Sequence, residues 1–153
     1  MIPTVVTAAA VDAEFPAVTA WAARRPGWAV RYDATTLILH TDTIHPLTSQ
    51  PITVAAELTG YRAVPPAWTI AGPNGSFPTA GQIPGVSGSI FHPNRLICAP
   101  WNRLAYGEHG GPHADWGGQT NWTSAGAGYT RGDTLADMLS QIALHLAVSP
   151  GMS

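Results

Sequence analysis

Apolar residues recur at helical spacing close to the start of the chain. These residues are spaced as on one buried helix face, at i, i+4 and i+7, and they are Val11, Phe15, Val18 and Ala22. This pattern predicts a helix over residues 12–25, with Asp12 and Glu14 in its first turn, where negative charge is favourable. Pro16 is tolerated only near a helix start, and the Pro-Gly pair at residues 26–27 would end this helix.

A second amphipathic pattern lies close to the end of the chain. Its apolar stripe at i, i+3, i+4, i+7 and i+11 consists of Leu135, Met138, Leu139, Ile142 and Leu146. Asp133 or Thr134 can cap this helix, which is expected to run to about Val148. The Ser-Pro-Gly sequence that follows is typical of a helix end.

Between these helices the pattern changes to that of β-strands. Four short strands are predicted, over residues 28–32, 36–41, 51–58 and 68–71. We therefore expect one α+β domain over residues 1–153. It would contain an N-terminal helix, a four-stranded antiparallel meander, an irregular segment holding any active site, and a C-terminal helix.

Two glycine-rich stretches, residues 72–90 and 102–132, hold no long apolar run. The first contains a predicted Pro-Asn-Gly turn at residues 73–75. Loops of this length are uncommon in a compact domain and are usually functional or disordered.

Composition narrows the possible functions. The chain has 153 residues and is 45% hydrophobic, enough for a core, and no apolar run reaches the ~18 residues of a membrane helix. Its N-terminal stretch lacks the basic start of a signal peptide, so a cytoplasmic protein is expected. The chain has 7 arginines and no lysine. The absence of lysine excludes Schiff-base chemistry on a lysine and a Walker-type phosphate loop. With a net charge of −2 and no basic patch, neither nucleic acid nor a membrane is an expected partner.

The single cysteine, Cys98, is the first candidate for chemistry, and it excludes an intrachain disulfide. Cysteine is the best side-chain nucleophile at neutral pH, and its thioesters are reactive acyl donors. Acyl transfer also needs a donor for the oxyanion and a base for the attacking group. The alternative is that Cys98 is a small apolar residue packed between Ile97 and Ala99.

Several features occur in the order typical of one known family. They are a leading helix with a meander, a Tyr-x-x-x-Pro-Pro segment at 61–66, His-Pro-Asn at 92–94, Ile-Cys at 97–98, and Trp122 followed by the last helix to Gly151. With these features, the chain resembles the ubiquitin-conjugating enzymes over roughly residues 12–151, as a divergent bacterial member.

The resemblance implies a role for each matching residue. Cys98 would be the nucleophile that forms the thioester. Asn94 would stabilise the oxyanion or the loop that holds it, and His92 would have a structural role. Pro65 and Pro66 would shape the segment that enters the fourth strand. Only four positions separate Asn94 from Cys98, a shorter spacing than the family's, which leaves the oxyanion role of Asn94 open.

A second polar group lies in the glycine-rich stretch after Cys98. His109, His113 and Asp115 fall within seven residues and are candidate zinc ligands. A further ligand would come from Glu108, His92 or Cys98. In the conjugating-enzyme interpretation, this loop would cover Cys98, and His113 or Asp115 would position or deprotonate the acceptor amine. A solvated polar loop without a role is the remaining possibility.

The function expected from the resemblance is protein conjugation. An activating enzyme would pass the C-terminal glycine of a ubiquitin-like protein to Cys98, which would then acylate an amine or hydroxyl of a protein target. The setting would be a bacterial antiviral-defence pathway. The carrier itself would need no metal or organic cofactor, since the activating enzyme consumes ATP. Two alternatives stay open: an inert binding module of the same fold, and a zinc-dependent hydrolase built on His109, His113 and Asp115.

Overall fold

The computed structural model describes residues 4–71, 83–126 and 131–152. It has the predicted α+β order, with an N-terminal helix, a four-stranded antiparallel sheet and a C-terminal helix. The elements are α1 (Thr4–Ala23), β1 (Ala29–Asp33), β2 (Ile38–Ile44), β3 (Pro51–Glu57), β4 (Ala67–Ala71) and α2 (Leu135–Ala147). The turn predicted at residues 73–75 lies outside the described residues. No helix in these three ranges is long and apolar enough to cross a membrane.

The sheet is a meander in which each strand pairs with the next along the chain. One face of it is buried and mainly apolar: Leu39 lies opposite Ala56, Val54 lies opposite Ile70, and all four side chains are buried. This burial of alternate residues follows from the two-residue period of a strand. The four predicted strands are confirmed, with ends that differ from the prediction by up to three residues.

The first helix begins eight residues earlier than predicted and ends at Ala23, two residues earlier. Asp12 and Glu14 therefore lie inside α1 rather than in its first turn, and Pro16 lies in its second half. The early start has a physical reason: the stretch before Asp12 is rich in alanine, the strongest helix former, and contains no breaker after residue 3. Glu14 instead joins the two helices, since its Oε1 accepts the Leu135 N–H of α2 at 2.7 Å.

The second helix has the predicted stripe and a well-defined start. Thr134, rather than Asp133, is its N-cap. The Thr134 hydroxyl accepts the Asp137 N–H at 3.2 Å, and the Asp137 carboxylate accepts the Thr134 N–H at 3.2 Å. This reciprocal pair is a capping box. The five residues of the predicted stripe are all buried.

The described part of the chain between β4 and α2 supplies much of the remaining core. It contains four short 3₁₀ helices between residues 103 and 124, where the sequence predicted a long loop. Trp101, Tyr106 and Trp122 are buried, so these turns are packed onto the domain.

Candidate active site

Cys98 lies at the end of a narrow turn that its own neighbours hold in place. Phe91 and Ile97 form an antiparallel bridge across this turn, and both side chains are buried. The Cys98 N–H donates to the Ile90 carbonyl at 2.6 Å. The backbone of the candidate nucleophile is therefore fixed by the strand-like arm that precedes the turn.

Asn102 fixes the chain on the other side of Cys98. Its side chain is fully buried, and its Nδ2 donates to the Ile97 carbonyl at 2.7 Å. Its Oδ1 accepts the Trp68 N–H of β4 at 2.9 Å and the Leu104 N–H at 3.3 Å. Because unpaired polar groups are costly at this depth, these bonds tie the cysteine segment to the sheet.

The 3₁₀ helices then return the chain to Cys98. Tyr106 and His113 form a parallel bridge, and the His113 N–H donates to the Ala105 carbonyl at 3.0 Å. Gly111 permits this return, since a Cβ at that position would collide with the backbone of Ala105. The glycine-rich character of the segment therefore allows a close backbone approach that brings His113 to the cysteine.

Cys98, His113 and Asp115 meet as a thiol, an imidazole and a carboxylate. The Sγ atom of Cys98 lies 2.7 Å from Nε2 of His113. The other ring nitrogen of His113, Nδ1, lies 3.2 Å from Oδ1 of Asp115. In this order of contacts, a carboxylate orients an imidazole, and the imidazole can accept the proton of a nucleophile.

The protonation state of this group follows from its surroundings. Burial raises the pKa of the Cys98 thiol, and the negative charge of Asp115 raises that pKa further. The resting side chain is therefore a neutral thiol at pH 7, and its S–H donates to Nε2 of His113. The ring proton must then sit on Nδ1, which donates to Asp115. The Asp115 side chain is 73% exposed, so solvent screens this contact, whose main effect is to orient the ring.

Trp116 holds the imidazole by stacking on it. The two rings are nearly parallel, with a centroid distance of 3.7 Å and an interplanar angle of 4°. His113 precedes a 3₁₀ helix that ends at Trp116, and side chains three residues apart eclipse in such a helix. Tyr106 meets Trp116 edge-on at 5.4 Å, and its hydroxyl donates to the Pro100 carbonyl at 2.7 Å. The stack fixes the plane of the imidazole beside Cys98.

The other two predicted site residues, His92 and Asn94, lie on the turn before Cys98. His92 shapes that turn: its N–H donates to the Leu96 carbonyl at 3.0 Å, and its Nδ1 accepts the Asn94 N–H at 3.1 Å. Asn94 is exposed, and among the described residues no hydrogen bond joins it to Cys98. The Cys98 N–H is engaged with the Ile90 carbonyl and is not a free oxyanion donor.

The geometry does not support the zinc alternative. Nε2 of His109 lies 2.9 Å from the side-chain oxygen of Gln119, whereas Nε2 of His113 contacts Cys98. The two histidines therefore face different partners. Across the part of the chain that the structure describes, no group of three or more His, Cys, Asp or Glu side chains could hold a metal ion.

Two residues of this site were not predicted as part of it. Asn102 has no distinguishing pattern in the sequence, and Trp116 was not singled out for a role beside Cys98. For Trp116 a signal was present, because it follows His113 by three residues, the repeat of a 3₁₀ helix.

Comparisons of the chain with protein-family models, curated proteins and solved structures found no match.

Proposed function

We propose that this chain is a ubiquitin-conjugating-enzyme-like carrier. It would accept the C-terminal acyl group of a ubiquitin-like protein as a thioester on Cys98 and pass it to an amine or hydroxyl of a protein target. The proposed setting is the cytoplasm of a bacterium, in an antiviral-defence conjugation pathway. The observation that carries the proposal is the 2.7 Å contact between Sγ of Cys98 and Nε2 of His113.

This contact provides the base that the loading step requires. The Cys98 thiol would attack the thioester that joins the ubiquitin-like protein to its activating enzyme. A C–S bond to Cys98 forms, the C–S bond to the activating enzyme breaks, and the thiol proton passes through Nε2 of His113 to the departing sulfur. Because burial raises the pKa of this thiol, the attack needs a base at hand, and His113 lies in contact with the proton to be removed.

The connection between the cysteine segment and the Pro-Pro segment supports the same proposal. Both segments belong to the motif order that resembles the ubiquitin-conjugating enzymes. Arg103, five residues after Cys98, donates its backbone N–H to the Pro66 carbonyl at 2.9 Å and its Nε–H to the Pro65 carbonyl at 3.0 Å. The guanidinium also pairs with Glu57 of β3 at 2.8 Å. Arg103 thus joins the Pro-Pro segment to the chain that follows Cys98.

A binding module of the same fold, with an inert Cys98, is the second candidate. The observation in its favour is that Cys98 is half-buried with a raised thiol pKa, which are properties of many unreactive cysteines. Such a module would bind an activating enzyme or a ubiquitin-like protein without forming a thioester.

The experiment that separates these candidates uses the protein products of the neighbouring genes. The chain is mixed with the encoded activating enzyme, the ubiquitin-like protein and ATP, and its intact mass is recorded without reductant. The carrier gains the mass of one ubiquitin-like protein, loses it with thiol reductant, and gains none as Cys98→Ala. If the activating enzyme is charged and binds the chain but no adduct forms, the inert module is the correct function.

A further inference from the structure

We propose that His113 and Asp115 select a hydroxyl group as the acceptor of the acyl group that Cys98 carries, so that the product is an ester. This inference rests on the proposed function and names the acceptor left open there. It starts from the position of Nε2 of His113, which lies 2.7 Å from the sulfur that holds the acyl group. A group that attacks the thioester carbon stands beside that sulfur, within reach of the same nitrogen.

The two classes of acceptor need a base to different degrees. A lysine amine is an ammonium at pH 7, and once it has lost that proton to solvent it attacks a thioester with its own lone pair, without a base in the attacking step. A hydroxyl is a weak nucleophile at neutral pH, and it reacts when a positioned base takes its proton as the new bond forms. A histidine in contact with the sulfur therefore accelerates hydroxyl attack more than amine attack.

The surroundings of His113 prepare it for this role. Asp115 accepts the Nδ1 proton at 3.2 Å, which leaves Nε2 as the proton acceptor on the side of Cys98. Trp116, stacked at 3.7 Å, keeps the ring in that plane once acylation has removed the S–H donor. The base is thus held by contacts that do not depend on the thiol proton.

The step balances without a further reactant. The acceptor oxygen forms a bond to the acyl carbon while the C–S bond to Cys98 breaks. The hydroxyl proton passes to Nε2 of His113 and from there to the departing sulfur, which restores the neutral thiol. The chain itself contains no lysine, so acyl groups transferred to its own side chains would also be esters.

The test loads Cys98 with a small acyl group and therefore needs no partner protein. The folded chain is exchanged with the mercaptoethanesulfonate thioester of N-acetylglycine, and loading is confirmed by intact mass. The loaded protein is then offered equal concentrations of N-acetylserine amide and N-acetyllysine amide at pH 7, and the ester and amide products are measured by mass spectrometry.

We expect the serine ester to be the main product of the unchanged chain. His113→Gln lowers the rate of ester formation about 10²-fold and changes amide formation less than threefold. Asp115→Asn, which keeps the base, lowers ester formation less than His113→Gln does. His109→Gln is the matched control, because His109 lies in the same segment and contacts Gln119 instead of Cys98, and it leaves both rates unchanged.

Three results would overturn the inference: amide as the main product, equal losses of ester and amide in His113→Gln, or hydrolysis without serine ester. If His113→Gln fails to load, the comparison of Asp115→Asn with His109→Gln decides, and equal ester rates in these two variants refute the role of the pair. This assay and the loading of a ubiquitin-like protein are independent measurements. A chain that makes no serine ester here can still be tested for thioester formation with a ubiquitin-like protein. A chain that forms no such thioester can still be tested here for ester selectivity.

Discussion

Replacement of Asn102 by alanine tests whether this buried amide holds the cysteine segment on the sheet. The variant removes the donor that Nδ2 offers to the Ile97 carbonyl at 2.7 Å. It also removes the acceptor of the Trp68 N–H at 2.9 Å. Ile97 and Trp68 are each 1% exposed, so water cannot replace the lost partner at either backbone group without a change in packing.

The size of the effect follows from these two orphaned groups. A buried polar group left without its partner costs about 1–3 kcal/mol. Two such groups, with the longer bond to the Leu104 N–H lost as well, give an expected loss of about 3–5 kcal/mol in the free energy of unfolding. Asn94→Ala is the matched control, since Asn94 is exposed on the neighbouring turn, and it is expected to change that free energy by less than about 0.5 kcal/mol.

The assay is urea unfolding of the two variants and the unchanged chain, with the slope of the transition compared as well as its midpoint. A second reading is the rate at which a thiol reagent modifies Cys98 under native conditions, which is expected to rise in Asn102→Ala alone. A loss of under about 1 kcal/mol with an unchanged slope would refute the role of Asn102, since it would mean that its partners are satisfied without it.

Three further predictions concern the base, the thiol and the second helix. Trp116→Leu is expected to slow discharge of an acyl group from Cys98 about three- to tenfold in a single-turnover assay. Trp116→Phe is expected to slow it less, because it keeps a stacking partner worth about 0.5–1.5 kcal/mol. Equal rates in the two variants would count against the stack as a positioning contact. Burial and the Asp115 charge raise the pKa of the Cys98 thiol, so its thiolate absorbance in the ultraviolet is expected to develop at a higher pH than that of free cysteine. In Asp115→Asn it is expected to develop at a lower pH than in the unchanged chain. A titration of Cys98 at or below the pH at which free cysteine titrates would contradict this. Thr134→Ala is expected to lower the free energy of unfolding by about 1 kcal/mol and Asp133→Ala by much less, and thermal unfolding that ranks them in the opposite order would reject the assignment of the cap.

The elements that could be predicted from the sequence are those whose signals are local. The buried face of α2 is specified by a stripe of five apolar residues, which the sequence identified, and its start was predicted as Asp133 or Thr134, of which the structure selects Thr134. The strands were found by their alternation, since each face of a strand has one environment. The start of α1 was missed because the alanine-rich stretch before Asp12 has no marked polar face, and helix propensity alone gives no boundary.

The site was predictable as a set of residues and not as an arrangement. The chemistry of Cys98, His113 and Asp115 singled them out, but their contact depends on a return of the chain through the 3₁₀ helices, which Gly111 allows. The role of Asn102 depends on the Trp68 N–H, which lies 34 positions earlier in the sequence. Contacts of this kind are set by tertiary packing, and single-residue patterns do not encode them.

The most direct test of the proposed function is the reaction of Cys98→Ser with the charged activating enzyme and its ubiquitin-like protein. A serine at this position would form an oxyester, which resists thiol reductant and is cleaved by hydroxylamine. We predict such an adduct at residue 98, located by peptide mass mapping, with His113→Gln in the same background slowing its formation. Absence of an adduct in both the Cys98→Ser variant and the unchanged chain, with the activating enzyme fully charged, would contradict the assignment of Cys98 as an acyl carrier.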